Sequence, residues 1–93
     1  MAGSNNILDI ELIKALADET RLEILYLLGN REMNVNEIAD QCVVSRPTIS
    51  HHLQIMKRAR ILDARKEGKE IYYSVNMYVL TSFAQSILSL VRW

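Results

Sequence analysis

Apolar positions along this chain repeat with a helical period over most of its length and with a strand period over one short stretch. From Ile7 to Ala17, Leu8, Leu12, Ile13 and Leu16 share one face at 3.6 residues per turn, which predicts a first helix. Asp18 then caps a second helix, with Glu19 in its first turn, where the helix dipole favours an anion. Leu22, Leu25 and Leu28 form the expected core stripe of that helix, broadened by Ile24 and Leu27. Gly29 ends it, because glycine tolerates a left-handed backbone. Asn34 and Glu37 have the spacing of a capping box and start a short third helix running to about Cys42.

Val43-Val44 reads as a turn. Ser45 then caps a fourth helix that carries Pro47 in its first turn, where a missing N–H costs nothing, and runs to about Ala59. The period next changes. Ile61–Lys66 and Glu70–Val75 read as two strands around a turn at Gly68. Asn76 caps a last helix, whose apolar positions are Val79, Leu80, Phe83, Ile87, Leu90 and Val91. The order is α-α-α-α-β-β-α, a mainly α fold with a small β-hairpin. Two short helices joined by a tight turn and followed by a hairpin form a winged helix-turn-helix. Residues 7–93 are expected to be one domain. Residues 1–6 are expected to be a disordered segment or the remnant of an expression tag.

Composition narrows the class. Apolar residues make up 49% and charged residues 24%, ordinary for a soluble domain. No apolar run approaches the ~20 residues that a bilayer span needs, and no signal peptide is visible, so membrane insertion is not expected. The single cysteine, Cys42, cannot form an intrachain disulfide, which suits a cytoplasmic protein. Net charge is zero, yet residues 1–45 hold three basic and eight acidic groups and residues 46–93 hold eight basic and three acidic. That segregation implies a basic face on a neutral molecule, and double-stranded DNA responds to the local field.

The fourth helix has two chemistries. At 100° per residue Ile49, Leu53, Met56 and Arg60 fall together, which marks the core side. Pro47, Thr48, His51, Gln54, Ile55 and Arg58 lie opposite, with Ser50 and Lys57 on the flank. Thr48, Ser50, His51 and Gln54 are donors and acceptors near the N-terminus, where a recognition helix meets base edges. Glutamine pairs with adenine in bidentate fashion, and a threonine methyl touches a thymine methyl. Arg46 and Arg58 bracket this face and suit phosphate or guanine. Ser45 and the free N–H groups of the first turn suit a phosphate oxygen. Arg65, Lys66 and Lys69 on the hairpin are expected phosphate contacts. Ile55 does not fit a polar face and is unassigned, with packing under the wing one option. The competing reading is a solvated helix face and a hairpin tip kept soluble by lysines.

Catalytic chemistry is not expected. His51 and His52 are adjacent and point about 100° apart on a helix, so they do not chelate one ion together. His52 reads as a hydrogen-bonded structural histidine and Cys42 as a small core hydrophobe. The three glycines are scattered at 3, 29 and 68, so there is no phosphate-binding loop. No cofactor or metal site is expected.

Three segments resemble the ArsR/SmtB family of bacterial winged-helix repressors. They are Ala15–Leu28 (ALADETRLEILYLL), Val35–Leu62 with the run SRPTISHHLQIMKRARIL, and Lys66–Val75 (KEGKEIYYSV). The pattern at Ser45, Thr48, Ser50, His52 and Leu53 is the most specific part. The resemblance implies repression from an inverted-repeat operator by a homodimer joined through the first and last helices. The residues for such an interface are Leu8, Leu12, Val79, Leu80, Phe83, Ile87, Leu90 and Val91. The sensing residues do not carry over. Where arsenic and cadmium sensors hold two cysteines this chain has Asn34 and Asn36, and Met77–Trp93 holds no His, Asp, Glu or Cys. That is closer to the metal-independent autorepressors of the SdpR type. Two further readings stay open: a redox-responsive repressor acting through Cys42, and a winged-helix protein-interaction module that does not bind DNA.

Overall fold

Asp9 caps the first helix of the computed structural model, which describes residues 8–91. Its carboxylate accepts the Leu12 N–H at 3.2 Å, so helix α1 spans Ile10–Leu16 and Leu8 precedes it. The expectation for residues 1–6, and the parts of the domain at Ile7, Arg92 and Trp93, lie outside the described residues. Helix α2 spans Glu19–Leu28, with Asp18 as cap accepting the Arg21 N–H at 3.1 Å. Strand β1 is Met33–Asn34, α3 is Val35–Asp40, and α4 is Arg46–Arg58. Strands β2 (Leu62–Glu67) and β3 (Glu70–Val75) form the hairpin, and α5 is Met77–Ser89. Among the described residues, five helices and a small antiparallel sheet give the winged helix-turn-helix.

Strand β1 adds to the expected order. The sheet runs β1-β3-β2, with Met33 opposite Tyr73 and Asn34 opposite Tyr72. Asn34 thus ends a strand and caps a helix. Its side chain accepts the Glu37 N–H at 2.9 Å while Glu37 accepts the Asn34 N–H at 2.8 Å, the expected capping box. Helix α3 stops at Asp40, two residues short of the sequence estimate. The hairpin pairs Leu62 with Val75 and closes at Glu67 opposite Glu70. Gly68 takes φ +63°, which a two-residue turn with glycine first requires.

The core gathers Leu12, Ala15, Ile24, Leu28, Met33, Ile38, Ile49, Leu53, Met56, Ile61, Leu62 and Tyr73. Full burial of each aliphatic side chain there contributes about 1.5–3 kcal/mol. Two expectations change. The α2 stripe centres on Ile24 and Leu28, with Leu25 and Leu27 half-buried, while Leu22 is 51% exposed. Apolar side chains point in nearly every direction around α2, so packing, not pattern, selects the face. Arg60 does not continue the α4 core side. The helix ends at Arg58, and Arg60 turns out to solvent with φ +69°.

Arg21 joins three helices. Its Nε donates to the Ala15 carbonyl at 2.6 Å, an acceptor left open where α1 ends. Its Nη1 donates to His52 Nδ1 on α4 at 3.0 Å. His52 is therefore hydrogen-bonded and half-buried.

Candidate nucleic-acid interface

Helix α4 is held from one side only. Ile49, Leu53 and Met56, at i, i+4 and i+7, are fully buried. Arg46, Pro47, Thr48, His51, Gln54, Lys57 and Arg58 are exposed, and Ser50 is half-buried. Lys57 and Arg58 occupy the last turn, where the helix dipole favours cations. Ser45 sits at the cap position with extended backbone, but its hydroxyl bonds the Thr48 hydroxyl at 3.0 Å instead of a backbone N–H. The N–H groups of the first turn therefore keep no side-chain cap from Ser45.

Two contacts order the exposed face. Arg46 Nε donates to Asn36 Oδ1 at 2.5 Å, which ties the start of α4 to α3. Gln54 Nε2 donates to the Tyr73 hydroxyl at 3.4 Å, which ties the third turn of α4 to the central strand. Burial pushes the Tyr73 phenol above its ordinary range, and the Gln54 contact acts against that rise. Sequence reasoning found neither Asn36 nor Tyr73, because each meets α4 only through tertiary packing. Ile55 does not lie under the wing. It lines a depression of about 260 Å³ with Glu11, Lys14, Ala15, Arg21, Arg58 and Ala59, between α1 and α4.

The wing cations separate by face. Arg65 lies opposite Tyr72, and Lys66 lies opposite Ile71, so alternation sends the two basic side chains to different sides of the sheet. Arg65 crosses the Tyr72 ring at 5.2 Å and reaches Glu32 through Nε at 3.0 Å and Nη2 at 2.8 Å. Its Nη1 also meets Glu67 at 2.5 Å. These carboxylates raise the Arg65 pKa, and the hydrogen bond from Arg65 holds Glu32 below its ordinary range. Arg65 is thus a paired brace on the outer face, not a free cation. Lys66 and Lys69 are exposed and form no ion pair among the described residues.

The apolar residues assigned to an interface also divide. Leu12 is 3% exposed and belongs, with Ala15 of the same helix, to the chain's own hydrophobic core. Leu8, Val79, Leu80 and Phe83 are half-buried, and Leu8, Val79 and Phe83 line a groove between the start of α1 and α5. No residue of α5 is fully buried among the described residues. Ile87, Leu90 and Val91 are exposed, as is Leu88 at 59%, which the sequence reading passed over.

His51 and His52 rings are tilted by 54° with centroids 6.1 Å apart. Among the described residues no group of three or more His, Cys, Asp and Glu side chains is placed to hold a metal ion. Cys42 is half-buried against the core, and burial, followed by the nearby Glu23, raises its thiol pKa.

Comparison with known proteins agrees with this geometry. The family described as "Bacterial regulatory protein, arsR family" matches residues 18–64, from the α2 cap into β2. The transcriptional repressor SdpR of Bacillus subtilis is 39% identical over 81 residues, covering 87% of this chain and 90% of that protein. An HTH-type transcriptional regulator of Methanocaldococcus jannaschii is 45% identical over 82 residues, covering 87% and 88%. The solved structure of an ArsR-like transcriptional regulator from Rhodococcus sp. RHA1 superposes with a TM-score of 0.79 at 31% identity, covering 87% of this chain and 76% of that one. A helix with one buried face and one polar, basic face, carried on a matching fold and sequence, makes this chain a member of the ArsR family of DNA-binding transcription regulators, not an enzyme.

Proposed function

We propose that the chain is a homodimeric repressor that binds an inverted-repeat operator through α4 and the wing tip, without control by metal. The observation that carries this reading is the two-sided α4. Its apolar face is spent on the core, and its exposed face presents Thr48, His51 and Gln54 between Arg46 and Arg58. Thr48, His51 and Gln54 meet base edges, with Ser50 at their flank. Ser45, Arg46, Arg58, Lys66 and Lys69 meet phosphates. The repressor sense follows the Bacillus subtilis relative, whose name states it. A DNA-binding role suits a cytoplasmic location.

Self-association is supported by the C-terminal end of α5 and the two residues after it, where Ile87, Leu88, Leu90 and Val91 are exposed, since clustered exposed apolar side chains mark interaction surfaces. Independence from metal is supported at α3. The family's thiolate positions hold Asn34, which caps α3, and Asn36, which anchors Arg46. A thiol switch is disfavoured by burial of Cys42, since the thiolate is the reactive form.

Selection of bound DNA from a random duplex library, followed by sedimentation of the free protein and the complex, tests the proposal. The expected site is an inverted repeat whose half-sites lie about 34 Å apart or a multiple of that. A monomer at micromolar concentration, or a selected site without two-fold symmetry, would sink it. Release of DNA by stoichiometric zinc, cobalt or arsenite would overturn the metal-independent part.

A further inference from the structure

We infer that Tyr73 is a positioning residue for sequence reading: its buried hydroxyl holds the Gln54 amide in the orientation that meets a base edge. The inference rests on the assignment of Gln54 to base contact. Gln54 is exposed on the reading face of α4, yet its Nε2 donates to the Tyr73 hydroxyl at 3.4 Å. Tyr73 is 3% exposed and sits on the central strand, opposite Met33 of β1 and Ala64 of β2. Strands on both sides therefore fix the position of the phenol. The contact also answers the need of a buried tyrosine hydroxyl for a partner.

The chemistry fits a support role. A glutamine amide has two N–H donors and one carbonyl acceptor. Donating one N–H to Tyr73 leaves the other N–H and the carbonyl, which are the pair that adenine N7 and N6 require. Glutamine is also among the side chains that lose most rotamer freedom when ordered. An amide already held in the free protein loses less on binding. The hydroxyl thus favours the base pair that suits the held amide, and it does so from a residue that touches no DNA.

The experiment compares wild type, Tyr73→Phe, Gln54→Ala and the double variant on the selected operator and on each of its single-base-pair variants at fixed salt. Tyr73→Phe is expected to reduce discrimination about 2- to 10-fold, the worth of one hydrogen bond, at the base pair that Gln54→Ala also affects. Discrimination elsewhere and the salt slope are expected to stay unchanged. The double variant is expected to match Gln54→Ala at that base pair. Wild-type discrimination in Tyr73→Phe, or a loss spread evenly over all positions, would overturn the inference. An additive double variant would overturn it too. Gln54→Ala without effect on any base pair would instead remove the base-reading role of Gln54 itself. Side-chain amide relaxation in the free wild-type protein gives a reading that needs no variant. A Gln54 amide nearly as rigid as the backbone is expected, and a freely mobile one overturns the positioning role.

Discussion

Replacing Lys66 and Arg65 separately by alanine should separate a phosphate contact from a sheet brace. The two residues are sequence neighbours with the same formal charge, but they stand on opposite faces of β2. Lys66 shares its face with Tyr73, whose hydroxyl meets Gln54, so that face borders the reading side of α4. Arg65 shares its face with Tyr72 and is already balanced by Glu32 and Glu67. One lysine on one phosphate contributes about 0.9 to the slope of log K against log salt, so the two copies in the proposed dimer contribute about 1.8. Over a fourfold rise in salt that slope corresponds to about 12-fold in affinity. Fluorescence anisotropy of labelled operator and random duplex, each followed across salt, reads the slope directly. Lys66→Ala is expected to lower it by about 1.8 on both DNAs. Arg65→Ala is expected to leave it unchanged, since the charge it removes is spent on two carboxylates. Equal loss of slope in both variants would refute the division of the wing by face.

Three further outcomes follow from the fold. Leu53→Ala, which empties a fully buried position of α4, is expected to cost about 2–5 kcal/mol in urea unfolding. Asn34→Ala removes one half of the capping box and is expected to cost about 0.5–2 kcal/mol by the same measurement. Asp18 has its pKa lowered from 3.8, chiefly by the Arg21 N–H that it accepts, so its stabilisation is present above that value and lost as pH falls through the folded pKa. Asp18→Asn keeps a capping side chain but removes the titration, and thermal melts between neutral and acidic pH should show a smaller decline than wild type.

The parts of this molecule that were legible in the sequence are those where local chemistry and tertiary packing agree. Helix α4 was readable because Ile49, Leu53 and Met56 leave one direction only for the core, and Ser45 and Pro47 mark its start. The capping box at Asn34 and Glu37 and the cap at Asn76 were readable because each is a contact between residues three apart. Strand β1 was not, since two residues carry no period and their partner Tyr73 lies far along the chain. Leu22 was misplaced because α2 is apolar on nearly all sides. The pairing of Arg65 lay half within reach. Strand alternation alone separates it from Lys66, but Glu32 reaches it only across the folded sheet. The Tyr73 and Asn36 contacts to α4 have no local signature at all.

Strand β1 has a consequence for how the molecule opens. Met33 pairs with Tyr73, and the chain between them contains α3, α4 and most of the hairpin. Asn34 leaves the sheet and enters α3 without a connecting residue, and Asn36 then grips the first residue of α4. The unit proposed to read DNA is therefore a loop of chain clasped at its base. Peeling the hairpin away breaks the β1 ladder, and undocking α4 pulls on the same clasp. The wing and α4 are therefore expected to open as one cooperative unit, and hydrogen exchange should show their backbone amides protected by one shared opening.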